Sequence, residues 1–163
     1  MQVVCLGLVS AAFAFALAHA AEFPGKLRLD EVTYRAVQRI YYPGFTIGGI
    51  SEPLAILALI GLVFATPRAN PAFGWTIAAL LAVFGMQLVY WLVTHPVNSA
   101  WLEGETLRGG AAGFFAFGQG VDAADWTQLR DRWEYSHVAR AVLGAAALLC
   151  LAIAATARPP AAP

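Results

Sequence analysis

Four apolar runs, residues 3–21, 46–66, 72–94 and 138–157, divide this chain, and each has the length needed to cross a hydrocarbon core of about 30 Å. None alternates polar with apolar positions as a barrel strand does. Backbone amides in lipid must be satisfied within the segment, so the runs are helices and the fold is all-α: an integral membrane four-helix bundle. The 163 residues form one membrane domain, 60% hydrophobic and 12% charged, which is too apolar for a soluble protein of this size. Formal net charge is zero and there is no basic tract, so nucleic acid is not an expected partner. Membrane lipid is.

The polar residues are distributed asymmetrically. Four crossings in alternating directions bring the connections after the first and third spans to one face. All ten acidic residues, all three histidines and every basic residue except Arg68 and Arg158 lie on that side. Ordinary anchoring would decorate both faces, so the imbalance locates a site. Counted by lysine and arginine, it also places both large connections in the cytoplasm, most simply at a bacterial inner membrane. The start of the chain loosely resembles a secretory signal ending at His19-Ala20-Ala21. It lacks the positive residue that should precede the apolar run, and a retained span is expected. Cys5 and Cys150 lie in different spans, and no disulfide is expected.

Between spans one and two, Pro24 and Gly25 should stop the first helix. A short interfacial helix follows, with Asp30 as its N-cap and Leu29, Val32, Ala36 and Ile40 at helical spacing. Tyr41 and Tyr42 suit a headgroup-level aromatic belt, and Gly48 and Gly49 allow close helix contact. Glu52 then falls inside the second span, where a carboxylate needs a partner or a proton. The third connection, from Gly104 to Gly120, is rich in glycine and contains Phe114, Phe115 and Phe117, as a loop that dips into the interface or covers a pocket would. Near residue 123, Asp122 or Asp125 starts a helix that runs on into the fourth span.

Two polar stripes converge at this end. At 100° per residue, Trp126, Arg130, Trp133, His137, Arg140 and Gly144 lie within about 40° of one line along the fourth helix. On the third span Gln87, Trp91, Thr94, Asn98 and Trp101 share a face in the same way, provided that Pro96 does not turn the helix, and His95 lies off it. The first span adds His19, Glu22 and Lys26, and the second adds Glu52. The plain reading makes Trp101, Arg132 and Lys26 anchors and makes Glu134 a partner of Arg130 or His137. His137 at the edge of the fourth apolar run and Arg140 one turn inside it mark a functional site.

The string Arg132-Trp133-Glu134-Tyr135-Ser136-His137-Val138-Ala139-Arg140, with Pro96-Val97-Asn98 upstream, resembles the anthrone oxygenase-like family of small four-helix membrane proteins. His19, Glu22, Pro24, Lys26 and the stretch Val37-Gln38-Arg39-Ile40-Tyr41 are similar to its bacterial branch, so the resemblance covers most of the chain. Trp-x-x-x-His-x-x-Arg is its most specific element. The chain departs from the pattern in the stretch 104–120 and in His95 before the proline. Characterised fungal members oxidise polyketide anthrones to anthraquinones with molecular oxygen, and the resemblance implies similar chemistry on a small hydrophobic or aromatic molecule. The residues suit such a reaction. His137 would be the base, Arg140 or Arg130 would stabilise an enolate, and Asn98 would orient a carbonyl or phenol. Trp91, Trp126 and Trp133 would stack on a planar ring, with His19, Glu22 and Glu52 completing the binding site. An electron-rich enolate reacts with oxygen directly, so no cofactor is expected.

Two other readings use the same residues. His19, His95 and His137, with Glu22 or Glu52, could ligate haem or a metal ion, although no paired ligand spacing occurs. Alternatively the stripes recognise a lipid, a quinone or a partner helix without catalysis, and Ala145, Ala146, Ala147, Ala152, Ala154 and Ala155 form a packing surface.

Overall fold

A computed structural model describes residues 1–101 and 125–157. The expectations for the 104–120 stretch and for Asp122 lie outside these. The elements are α1 (Gln2–Lys26), α2 (Glu31–Ile40), α3 (Gly44–Gly49), α4 (Ser51–Ala65), α5 (Ala72–Val89), a π-helical turn (Tyr90–Thr94), α6 (His95–Trp101) and α7 (Trp126–Thr156). There is no strand among the described residues. Four helical stretches, Gln2–Lys26, Gly44–Ala65, Ala72–Trp101 and Trp126–Thr156, are long and apolar enough to cross a membrane. The protein is an all-α integral membrane bundle.

The helices close into a ring: α7 packs on α1 and α5, and α4 packs on the same two from the other side. At the end remote from the polar connections, Cys5, Val9, Ala55, Leu59, Leu62, Ala79, Val83, Ala147 and Leu151 form the core. Both cysteines are free. Lipid tails are as apolar as these side chains, so the ring is held by close packing rather than by escape from water. Gly144 shows how close the packing is. A Cβ there would lie 3.2 Å from the Cα of Phe13 on α1, so this stripe position serves helix approach.

The helix ends explain how the site is framed. Asp30 caps α2 as expected, its carboxylate accepting from the Thr33 amide at 2.9 Å, and Asp125 caps α7 by accepting from the Thr127 amide at 3.1 Å. Pro24 and Gly25 do not stop α1, which continues to Lys26. Proline leaves only one carbonyl without its helical donor, and this close to a helix end polar surroundings can satisfy it. The extra turn is what carries Lys26 into the bundle. The apolar stripe of α2 points outward, with Val32, Ala36 and Ile40 exposed, and Tyr34 on the opposite face is fully buried against Val97, Trp101, Leu129 and Trp133. The outward face has the chemistry of an interfacial helix lying against lipid. The third span is not uniform, because the wide turn Tyr90–Thr94 precedes Pro96 and absorbs the clash and the missing donor that proline brings.

Candidate functional site

The polar end of the ring encloses a cavity of about 410 Å³. Its walls come from every crossing: His19 from α1, Tyr41 and Phe45 before and within α3, Glu52 from α4, Gln87, Trp91, Thr94 and Asn98 from the third span, and Trp133, His137 and Arg140 from α7. A space of this size, mostly apolar with a few convergent polar groups, has the character of a small-molecule site.

His137, almost completely buried, is part of its wall. The His137 Nδ1 is 2.9 Å from the Trp133 carbonyl oxygen, which can only accept, so Nδ1 carries the proton and Nε2 retains its lone pair. Ser136 braces the same carbonyl by donating to it at 2.7 Å, and its hydroxyl also meets Thr94 at 2.8 Å. The ring of His137 lies 4.0 Å from Trp133 and 4.3 Å from His19, centroid to centroid. His19 in turn makes edge contacts with Trp133 and Tyr41, and its buried Nδ1 has no hydrogen-bond partner. Trp133 is held from the other side, its indole donating to Asn98 Oδ1 at 2.7 Å.

One turn deeper, Arg140 forms a buried ion pair with Glu52. The Gln87 amide, oriented to satisfy both of its neighbours, donates to the second Glu52 oxygen at 3.0 Å and accepts from Trp91 Nε1 at 2.9 Å. The guanidinium also sits 5.3 Å from the Tyr90 ring centroid, and its Nε, buried, has no partner. Thus Glu52 finds the partner that its position demands.

Above the cavity Lys26 is sandwiched between carboxylates and rings. Its ammonium lies 3.0 Å from Glu22, 3.6 Å from Glu134, and 4.7 and 4.6 Å from the Tyr41 and Trp133 rings. Tyr34 donates to Glu134 at 2.8 Å and Tyr41 donates to Glu22. Burial first, then the adjacent Glu134, holds the Tyr34 phenol above its ordinary range, and burial with the bond to Glu22 does the same for Tyr41. Both stay protonated, as donors.

A family model described as anthrone oxygenase matches residues 39–150, more than half of the chain. The protein belongs to the anthrone oxygenase family. No curated protein and no solved structure matches it. Within this anthrone oxygenase family member, Glu52, Trp91, Asn98, Trp133, His137 and Arg140 fall inside the matched region, whereas His19 and Lys26 precede it. The structure brings His19 into the same cavity nonetheless.

Three of the residues expected to catalyse or to bind the ring do not line that cavity. Arg130 pairs with Asp131 at 2.7 Å and lies over Trp126, 5.3 Å from its ring centroid. Trp126 packs against Tyr34, and Glu22 stays at the half-exposed rim with Tyr41 and Lys26. Trp126 and Arg130 share the His137 face but stand two to three turns farther along α7, beyond the cavity, so angle without depth misplaces them. His95 is buried beside Tyr90 and Trp91, its ring 4.8 Å from Trp91, away from the His19–His137 pair. Among the described residues no three His, Cys, Asp or Glu side chains cluster as metal ligands. Sequence reasoning misses Tyr34, Phe45 and Tyr90 and reads Tyr41 only as a belt residue and as part of the family resemblance, because an aromatic residue in an apolar or interfacial stretch looks like an anchor until its partners are known.

Proposed function

We propose that the cavity binds a planar aromatic ketone or phenol and that the protein oxidises it with molecular oxygen. One observation carries the reading: the Trp133 carbonyl fixes the His137 tautomer, leaving Nε2 as a base in a cavity that is also lined by aromatic residues and Arg140. His137 Nε2 takes a proton from the CH2 carbon that lies across the central ring from the ketone and is conjugated to it through the aromatic rings, and the Arg140 guanidinium stabilises the enolate oxygen. Asn98 orients a second oxygen. Trp133 and Trp91 flank the ring.

The enolate carbon bonds to O2, and the imidazolium returns its proton to the outer oxygen, giving a hydroperoxide. Loss of the second C–H proton then breaks the O–O bond, so the carbon becomes a carbonyl and the other oxygen leaves as water. The enolate supplies the electrons, so the chemistry needs no resident cofactor. The excess of lysine and arginine on the site side supports a placement of the large connections in the cytoplasm, and the resemblance to the bacterial branch supports a bacterial inner membrane.

The test is oxygen uptake by purified protein in nanodiscs with 1,8-dihydroxyanthrone. His137→Ala should lower the rate by about 10²–10⁴-fold, the range of a lost general base, with the helical signal intact. Uptake by the folded variant at the wild-type rate would remove His137 from the mechanism.

A further inference from the structure

Among the described residues, buried side chains crowd the polar end of the bundle. Lys26, Tyr34 and Glu134 are almost completely buried, and Tyr34 packs with Trp101 and Trp133, which border the cavity. The cavity opens elsewhere. Several residues that line it are also exposed, among them Tyr42, Thr46, Ile47 and Ile50 on or beside α3, and Trp91 on the π-helical turn. Ile47 is 63% exposed, Ile50 53% and Trp91 38%, although all three also border the hollow. A residue that does both marks a mouth.

The chemistry of the mouth is graded. Arg39, Gln38 and Tyr42 stand at its headgroup end, and the Gln38 Nε2 there is buried without a partner. Ile47, Ile50 and Trp91 lie within the apolar runs 46–66 and 72–94, at hydrocarbon depth. Gly49 sits on its edge, where an added Cβ would meet nothing within 4 Å.

From this we infer that the ligand enters sideways from the bilayer, through the slot between α3 and the π-helical turn. The class admitted is then a hydrophobic polycyclic phenol or ketone dissolved at the acyl–headgroup boundary, entering edge-on; a charged, water-soluble ring of the same shape is not admitted. This rests on the ring-binding reading of the cavity and adds the route and the phase from which the substrate comes.

Binding of 1,8-dihydroxyanthrone, followed anaerobically by tryptophan quenching in nanodiscs and vesicles, tests it with Gly49→Phe as a plug and Val142→Phe, on the exposed face of α7, as control. Association should slow by about tenfold or more in Gly49→Phe and stay unchanged in Val142→Phe. Occupancy should follow the mole fraction of ring in lipid, falling when empty vesicles are added, and a sulfonated anthrone should not bind. Equal association rates in folded wild type and Gly49→Phe, or occupancy set by aqueous concentration, would overturn lateral entry and leave the proposed function standing. No quenching of the wild type by any ring would overturn both.

Discussion

The two ends of the bundle are built from the same four helices yet solve opposite problems. At the remote end the crossings meet through Cys5, Val9, Leu59, Val83 and Leu151, with no buried ion pair among the described residues there. At the polar end the same helices are held apart around a hollow, and pairs such as Arg140–Glu52, Tyr34–Glu134 and Trp133–Asn98 span the gaps. Packing alone suffices where helices touch. Where they are separated to leave a space, each polar group needs a partner on another helix, so stability and site geometry become the same set of contacts.

The largest stability effect should come from halving the buried pair. Glu52→Gln or Arg140→Met leaves one charge without its counterion and should cost about 3–5 kcal/mol in detergent unfolding, while the double change to apolar residues should cost less than either single one. A double variant as unstable as the sum of the singles would mean that the two groups act separately. In the remote core, Leu59→Ala should cost about 2–5 kcal/mol through the cavity it leaves, yet oxygen uptake per folded molecule should be unchanged. A large loss of specific activity there would erase the distinction between the two ends. Tyr34→Phe removes the donor to fully buried Glu134 and should cost about 1–3 kcal/mol, with weaker ring binding because Lys26 and Trp133 lose their backing.

The smallest effect belongs to the helix cap outside the bundle. The Asp30 carboxylate is held below its ordinary value of 3.8 by the Thr33 amide, so its capping contribution is present above that pH and is lost as pH falls through the lower folded value. Asp30→Ala should therefore show a small fall in melting temperature at neutral pH that disappears in strong acid, as read by circular dichroism.

Much of the frame was legible from periodicity. Four apolar runs specify four crossings, Asp30 before an amphipathic stretch specifies a cap, and His137 with Arg140 where the fourth apolar run begins marks a candidate site. The stripe of the third span also holds, since Gln87, Trp91, Thr94, Asn98 and Trp101 all border the cavity despite the widened turn before Pro96. What periodicity lacks is depth and partnership. Trp126 and Arg130 share the right angle but stand too far along α7. The partners of Glu52 and Glu134 lie on other helices, 88 and 100 residues away in sequence, and only the closed ring reveals them. Lys26 reads as an anchor because Pro24 and Gly25 suggest an earlier helix end.

Anaerobic mixing of 1,8-dihydroxyanthrone with the protein at neutral pH measures most directly whether the cavity deprotonates a bound ring. The red-shifted absorption of the enolate should grow in on binding to wild type, stoichiometric with protein, while His137→Ala should bind the ring and leave it in the ketone form. Enolate formation to the same extent in both proteins, or none in the wild type with the ring bound, would contradict the assignment of His137 Nε2 as the base.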